Sequence, residues 1–495
     1  MRAYAERVMT MEYAKRILGA LMAEGHEAYL IGGIVRDTLL GRPCHDIDIC
    51  TSALPDEIMR AAEINGWRTN EVGRAFGCII VAIEDKAYEV VTFRSESYGT
   101  DSHRPSEVCY GVSLEEDVKR RDFTMNGLAM RRDGTVIDLV GGVTDIKARI
   151  VRCIGDAKER FAEDALRAYR ACRFSAQLGF DLDEVIVPAI AHNLSRVRGL
   201  SVERVRSELD KTLISPYPAR GLSAMMDGGL LDVSVTVRER GKVREVAVLP
   251  ELRHLVDLPQ NPLYHKYDGW HHTLAVVEAV PAELTVRWAA LLHDVAKGTD
   301  GIRGEKNGQP TDHGHAAAGA LMARDILTRL GYPKQMVARV SWLVREHMGC
   351  APADQKGALR WLKKRATDHR TKEELLDALC QLNALLCADD IGTGRCEGRG
   401  RDELFAEVFR LAESTALYVR ELAVGGRDLM PILGDGQAVG QMLDTLLHRV
   451  SQGELINERG VLLAAAEKSY RRQTEKNAVV SVEKQRRYLR FMIQS

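Results

Sequence analysis

The 495-residue sequence lacks several features that would assign it to common protein classes. It has no apolar run of about 18 residues and no secretory signal, which predicts a cytoplasmic protein without a membrane partner. Its ten cysteines include no Cys-x-x-Cys pair, which argues against a zinc ribbon or an iron–sulfur site and favours reduced thiols. The formal net charge is −1, so any contact with nucleic acid must use local basic patches. No segment indicates an obligate protein partner.

The stretch from Tyr29 to Thr51 concentrates residues that suit phosphate and metal chemistry. An apolar strand is followed by a Gly32–Gly33 turn and a short helix with Arg36 in its first turn, and a second strand carries Asp46 and Asp48. Because side chains alternate across a strand, the two aspartates should share one face. Paired carboxylates suit Mg²⁺, and the amides of a glycine turn ahead of a helix can hold a triphosphate. Taken singly, these pieces are a tight turn and a solvated strand edge.

The next hundred residues add one candidate ligand and one long irregular segment. Residues 77–83 and 87–93 predict the two strands of a hairpin. Glu89 falls on the second strand and is either a third carboxylate beside the aspartates or a surface residue. Residues 95–117 are rich in turn formers and predict a mobile loop.

Two segments carry a resemblance to a known family. The segments are GGIVRDTLLGRPCHDIDI, which contains the glycine turn and both aspartates, and RRDFTMNGLAM, which begins at Arg120. Their order resembles the nucleotidyltransferase superfamily, and in detail the class II tRNA nucleotidyltransferase/poly(A) polymerase family. The resemblance implies that Arg121 contacts the nucleotide and that Asn126 supports the site. Gly127 departs from the alanine that is usual there.

Residues 159–178 predict one continuous helix, which makes Asp164 and Arg167 neighbours on one face. Cytosine and adenine both present an amino donor beside a ring-nitrogen acceptor, so one carboxylate and one guanidinium can select these two bases. A salt-bridged, solvated helix is the alternative. The segment resembles the E-D-x-x-R motif of the same family. The resemblance implies that Asp164 and Arg167 choose the incoming base, while Arg170 and Arg173 add positive charge for triphosphate or RNA.

A further helix is predicted over 201–211, with Ser201 as its N-cap. The resemblance implies that Glu203 and Arg204 on this helix brace the base-selecting residues rather than contact the substrate.

A second set of metal-ligating residue types lies in an apolar, helical part of the sequence. Its members are His272, His293, Asp294, His315, His347 and Asp389. Buried imidazole and carboxylate groups need partners, and together they suit a divalent metal ion. Their order resembles the HD phosphohydrolase domain, which implies hydrolysis of phosphomonoesters or 2′,3′-cyclic phosphates at tRNA ends. The alternative is an HD fold kept for tRNA contact without turnover. Residues 299–315 predict a polar loop over this centre.

The resemblance implies an α+β fold, with a nucleotidyltransferase (polymerase beta-like) head that has a small mixed sheet and mostly helical segments after it. We expect a catalytic head over 1–150, a templating neck over 151–215, a body over 216–400 with the HD domain at about 261–395, and a helical tRNA-binding tail over 401–495. Residues 471–490 carry seven Lys or Arg against two Glu. This composition predicts either charge contact with RNA phosphates or a frayed, solvated helix.

The function implied is addition of C, C and A to the 3′ end of tRNA from CTP and ATP, with Mg²⁺ at the aspartates. The tRNA would be bound through its acceptor arm and elbow. Poly(A) polymerase and enzymes that add only CC or only A are alternatives within the family. A phosphohydrolase with the head as a tRNA-binding module, and a non-enzymatic RNA-binding protein, are alternatives from other classes.

Overall fold

The computed structural model describes residues 2–44, 46–97, 107–239, 241–349, 354–394, 399–434, 436–472 and 474–475. The predicted loop over 95–117 and the basic tail over 471–490 lie partly outside these ranges. Within them, every helix is too short or too polar to traverse a lipid bilayer. The chain forms two compact units, one of residues 1–345 and 392–395 and the other of residues 346–391 and 396–495.

The first unit combines a mixed sheet with helices, as the α+β prediction requires. Its elements begin with α1 (Arg2–Ala23), β1 (Ala28–Ile31), α2 (Gly33–Leu39), β2 (Asp48–Thr51), α3 (Pro55–Ile64), β3 (Arg68–Asn70), β4 (Cys78–Ile83), β5 (Lys86–Thr92), β6 (Arg94–Ser97), β7 (Glu107–Tyr110), α4 (Leu114–Lys119), β8 (Leu128–Met130) and β9 (Val136–Asp138).

A mostly helical part of the same unit follows. Its elements are α5 (Gly142–Ala148), β10 (Ile150–Val151), α6 (Ala157–Glu163), α7 (Leu166–Leu178), β11 (Asp181–Leu182), α8 (Ile186–His192), α9 (Leu194–Val197), α10 (Val202–Leu213), α11 (Pro218–Asp227), β12 (Ser234–Glu239), β13 (Lys242–Ala247), α12 (Gly269–Ala279), α13 (Leu284–Leu292), β14 (Arg303–Lys306), β15 (Gln309–Asp312), α14 (His315–Arg329) and α15 (Lys334–Glu346).

The sheet of the head has seven strands in the order β3-β4-β5-β2-β1-β8-β9. The predicted hairpin is confirmed, because β4 and β5 pair antiparallel. Strand β2 pairs parallel with β5, so the sheet is mixed. Ile49 on β2 and Val90 on β5 are fully buried on the core face. The alternation of side chains therefore leaves Asp48 and Glu89 on the opposite face.

Two predicted loops contain strands. In the segment predicted as a loop over 95–117, β6 and β7 pair antiparallel and α4 follows with Ser113 as its N-cap. In the segment over 299–315, β14 and β15 pair antiparallel. Asn307 and Gly308 form the two-residue connection, with φ of 55° and 69°. Positive φ at both residues is the conformation that favours Asn-Gly in tight hairpins, so this pair was an available signal for a hairpin.

The second unit is helical in its described residues, as predicted for the tail. It contains α16 (Gln355–Ala366), α17 (Lys372–Gly392), α18 (Arg399–Ser414), α19 (Gly426–Leu433) and α20 (Gly436–Ser451), and a further helical stretch covers 459–472. Leu429, Leu446 and Leu462 from its last three helices pack in one buried cluster.

Candidate active site

Two carboxylates, those of Asp48 and Glu89, lie side by side on the face of the head sheet opposite the core. Asp48 on β2 is directly opposite Glu89 on β5, and side chains of partners in such a pair point to the same side. Burial raises the pKa of Asp48, and the charges of Glu89 and Asp46 raise it further. Carboxylate oxygens are the ligands that a hard cation such as Mg²⁺ prefers, so Asp48 with Glu89 beside it forms a candidate donor set.

The prediction that one strand carries both aspartates is wrong for Asp46. Strand β2 begins at Asp48, which pairs with Ile31 as the last residue of β1. The chain leaves the sheet at Gly32, so no β1 residue remains to pair with Asp46. Asp46 is exposed and precedes the strand.

The glycine turn lies beside these carboxylates. Gly32 has φ 78° and ψ −131°, a backbone conformation that is essentially restricted to glycine. A Cβ atom at Gly32 would stand 3.9 Å from Oδ2 of Asp48 and 3.7 Å from a terminal nitrogen of Arg121. The N–H of Gly32 donates to the carbonyl of Leu128, so only the following amides, starting with Gly33, are candidates for a triphosphate. The structure thus brings together the turn, Asp48 and Arg121.

A buried polar chain links α2 to the segment that begins at Arg120. The guanidinium of Arg36 donates to Asp37 at 2.9 and 3.0 Å and to Oδ1 of Asn126 at 2.6 Å. Asn126 donates in turn to Asp122 at 3.1 Å. Arg170 donates to the other oxygen of Asp122 at 2.8 Å. Arg36 and Arg170 are therefore both held by protein groups.

The electrostatics of this chain centre on Asp122. Burial alone would raise its pKa, but Arg170 and the hydrogen bond from Asn126 outweigh burial and hold the pKa at about 2. The carboxylate form is thus stabilised by its neighbours at neutral pH.

The helix predicted over 159–178 is broken in two at Asp164. Helix α6 ends at Glu163, and Asp164 has extended backbone angles (φ −137°, ψ 103°). Its side chain accepts from the N–H of Leu166 at 3.1 Å, a local bond that competes with helix continuation. Asp164 and Arg167 are therefore not neighbours on one helical face, because only Arg167 lies on α7.

Each base-selecting candidate has its own ionic partner. Asp164 is 3.2 Å from a terminal nitrogen of Arg204 on α10. Arg167 pairs with Glu163 at 2.6 Å and also donates to the carbonyl of Arg120 at 2.8 Å. Ser201 caps α10 as predicted, by accepting from the N–H of Arg204. The carboxylate and the guanidinium are thus oriented by separate braces.

Arg173 is placed away from solvent. Its side chain is 11% exposed and lies 2.6 Å from Glu208, whose side chain is 5% exposed. It also donates to Gln177 at 2.9 Å, and its guanidinium carbon stands 4.0 Å from the ring centre of Phe174. This arrangement is that of a buried structural ion pair.

A second centre joins α12, α13 and α14. The Nε2 atoms of His272 and His293 are 3.1 Å apart, and Oδ2 of Asp294 lies 3.4 and 3.2 Å from them. Oδ1 of Asp294 is 3.3 Å from Nε2 of His315, and Lys297 contacts Oδ2 at 2.6 Å. All of these side chains are at least nine-tenths buried. Imidazole nitrogens converging on one carboxylate fit a divalent metal ion.

His347 and Asp389 belong to the second compact unit. His347 directly follows α15 and is buried, and Asp389 lies in α17. Their place in a metal centre stays a prediction.

Three family models match the chain. The poly A polymerase head domain matches residues 28–152, the probable RNA- and SrmB-binding site of polymerase A matches 179–235, and the HD domain matches 269–385. Among curated relatives, the CCA-adding enzyme of Levilactobacillus brevis is 46% identical over 219 residues, which are 44% of this chain and 54% of that enzyme. The one from Geobacillus thermodenitrificans is 45% identical over 231 residues, 47% and 56% of the two chains. The chain thus spans about half the length of these relatives.

A solved structure decides the family. The Bacillus stearothermophilus CCA-adding enzyme in complex with CTP superimposes with a TM-score of 0.66 at 30% identity, over 94% of this chain and 99% of that one. The chain belongs to the family of CCA-adding enzymes. A Thermotoga maritima CCA-adding enzyme complexed with tRNA_CCA shares the fold at 16% identity, with a TM-score of 0.54 over 94% and 98% of the two chains.

In this member of the CCA-adding enzyme family, sequence reasoning missed several supporting residues. Glu163 and Asp122 orient Arg167 and Arg170, and neither was assigned that role from the sequence. The spacing of Glu163 and Arg167, four apart with the acid first, was an available signal for an ion pair. Nothing local predicted the pairing of Asp122 with Arg170, because 48 residues separate them.

Proposed function

We propose that this protein adds C, C and A in sequence to the 3′ end of tRNA, using CTP and ATP and no nucleic-acid template. The observation that supports this most is the placement of Asp48 and Glu89 beside the Gly32 turn and Arg121. The relative of known structure with the same fold over nearly its whole length was solved in complex with CTP.

Asp46, Asp48 and Glu89 would hold Mg²⁺ in the head. When bound, the metal would supply charge stabilisation at the phosphorus and activation of the attacking hydroxyl, as in two-metal nucleotidyl transfer. Glu89 is included because it stands opposite Asp48 and raises the pKa of that carboxyl.

The nucleotide would be held between the glycine turn and two arginines. Gly33 would offer its amide to the triphosphate. Arg36 would add positive charge, and the buried polar chain that ends at Arg170 would hold Arg36 in place. Arg121 would contact the sugar–phosphate part, because one of its terminal nitrogens stands at the Gly32 turn. Arg173 would act by holding α7 rather than by touching the nucleotide.

Asp164 and Arg167 would read the base. Asp164 can accept from the amino group of cytosine or adenine, and Arg167 can donate to the ring nitrogen beside it. Uracil and guanine present a carbonyl and an N–H at those positions and would leave both side chains unpaired. The braces from Arg204 and Glu163 would keep the two groups at a fixed separation.

The test is nucleotide incorporation on a tRNA transcript that lacks its 3′ CCA. Wild type should add two C and then one A, Asp46→Ala should add nothing, and Asp164→Ala should lose its preference for C and A. Glu184→Ala is a matched control, since it removes an exposed carboxylate between β11 and α8 to which no role is assigned. A long A tail would make the protein a poly(A) polymerase, and C alone or A alone would make it a partial-addition enzyme.

A second activity is favoured by the buried centre at Asp294. We propose a metal-dependent phosphohydrolase that acts on phosphomonoesters or 2′,3′-cyclic phosphates. His272, His293 and His315 converge on one carboxylate, which fits a bound divalent ion. Asp294→Ala should abolish metal-restored hydrolysis of 2′,3′-cyclic AMP after chelation. Unchanged hydrolysis by this variant would contradict the proposed activity of this centre and favour an HD fold that only contacts RNA.

The proposed substrate is a tRNA bound by its acceptor arm and by its elbow, the latter through the tail over 401–495. We also propose a cytoplasmic location. It accords with this substrate and with the described cysteines, which are free thiols.

A further inference from the structure

Asp117 on α4 is a buried carboxylate to which the sequence assigned no role. Its side chain is 1% exposed, yet it meets two guanidinium groups. Oδ1 accepts from Arg120 at 3.0 and 2.7 Å and from the backbone N–H of Arg94 at 3.2 Å. Oδ2 accepts from Nε and one terminal nitrogen of Arg121 at 3.3 and 3.1 Å. Asp117 thus joins α4, the start of β6 and the residue proposed to contact the nucleotide.

The contact with Asp117 leaves one terminal nitrogen of Arg121 available. Two of the three guanidinium nitrogens bond Oδ2 of Asp117. The third is the nitrogen that would stand 3.7 Å from a Cβ atom at Gly32, close to Oδ2 of Asp48. A carboxylate on one edge of a planar guanidinium fixes the direction in which the remaining N–H groups point.

We infer that Asp117 is a positioning residue for nucleotide binding, because it aims the free nitrogen of Arg121 at the Gly32 turn. This inference rests on the proposed function. The charge balance supports it: burial would raise the pKa of Asp117, but Arg121 and Arg120 outweigh burial and keep the pKa below its ordinary value. The carboxylate is therefore ionised at neutral pH and holds both arginines.

A structural ion pair and a positioning residue make different predictions for binding. If Asp117 only stabilises α4, its loss lowers the melting temperature and leaves CTP affinity and KM of the folded protein unchanged. If Asp117 acts through Arg121, its loss weakens CTP only while Arg121 is present. A double-mutant cycle separates the two cases.

The experiment measures CTP binding calorimetrically with the full chain in the absence of tRNA. We expect Asp117→Asn and Arg121→Ala each to weaken CTP binding about tenfold, and the double variant to be no weaker than Arg121→Ala alone. KM for CTP should rise by the same factor, while kcat on the tRNA transcript falls less. Wild-type affinity in Asp117→Asn, or losses that add fully in the double variant, would overturn the inference.

Two further variants keep the test decisive if Asp117→Asn does not fold. Asp117→Glu keeps the charge but moves the carboxylate by one methylene, so a folded Asp117→Glu protein should also bind CTP more weakly. Wild-type affinity in that variant would contradict the inference. Glu116→Gln perturbs the N-cap interaction of the same helix and should leave CTP affinity unchanged. If wild type itself binds no CTP, the proposed function fails, and that result is distinct from failure of the positioning role.

Discussion

Removal of Glu208 should destabilise the protein through the arginine that it leaves behind. Arg173 and Glu208 form a buried pair at 2.6 Å, and Arg173 was predicted from the sequence to serve triphosphate or RNA. Glu208→Ala leaves a guanidinium with an exposed fraction of only 11% and with Gln177 as a remaining partner. Breaking one side of a buried pair costs about 3–5 kcal/mol.

The expected cost translates into a measurable melting temperature. For a large domain each kcal/mol shifts the melting temperature by about 2 °C, so Glu208→Ala should lower it by roughly 6–10 °C. Lys211→Ala, which removes an exposed charge from the same helix, should lie within about 1 °C of wild type. Circular dichroism and scanning calorimetry both report this difference.

A double substitution tests the same buried pair without leaving an unpaired charge. Arg173→Met with Glu208→Leu removes both charges and should recover most of the lost stability, because apolar replacement of a buried pair is often neutral. A Glu208→Ala protein with a wild-type melting temperature and a raised KM for CTP would refute the structural role of Arg173. That result would instead support a role for Arg173 in nucleotide binding.

Three further predictions concern residues of the head. Gly32→Ala should lower the free energy of unfolding by about 1–3 kcal/mol, because φ and ψ at this position suit only glycine. It should also reduce nucleotide incorporation. An unchanged free energy of unfolding in urea would contradict the assigned strain. The pKa of Asp122 falls from 3.8 to about 2, so its carboxylate contributes about 2 kcal/mol above pH 4, and this is lost as the pH falls toward 2. Asp122→Asn should therefore flatten the pH dependence of unfolding over that window, and an unchanged slope would refute the pairing. Asp48→Asn should abolish incorporation yet raise the melting temperature in a chelator, because it relieves repulsion from Glu89; a lower melting temperature would contradict that repulsion.

Much of the head could be predicted from the sequence because its signals are local. The glycine turn, the strand that begins at Asp48 and the β4–β5 hairpin each depend on a few adjacent residues, and the structure has them. The break at Asp164 could not be predicted in the same way. Residues 159–178 contain no proline or glycine before Gly179, and the competing bond from the N–H of Leu166 leaves no mark on helical periodicity.

The partners of the site arginines were harder to predict than their positions. Arg121 and Arg167 stand in motifs, and the carboxylates that orient them, Asp117 and Glu163, each lie four residues earlier, a spacing that indicates an ion pair only where the chain is helical. The pairing of Arg170 with Asp122 depends on tertiary packing, because 48 residues separate them. The hairpin at 303–312 was not predicted, because its two strands are short and polar and its turn signal is confined to Asn307–Gly308.

The central claim is that the protein itself selects C and A and stops after three additions. The most direct measurement is sequencing of the tRNA 3′ ends after reaction with all four nucleoside triphosphates at equal concentration. We predict the single added sequence CCA, with U and G absent and no longer products. Ends that contain U or G as often as C and A, or runs of A beyond one residue, would contradict the account.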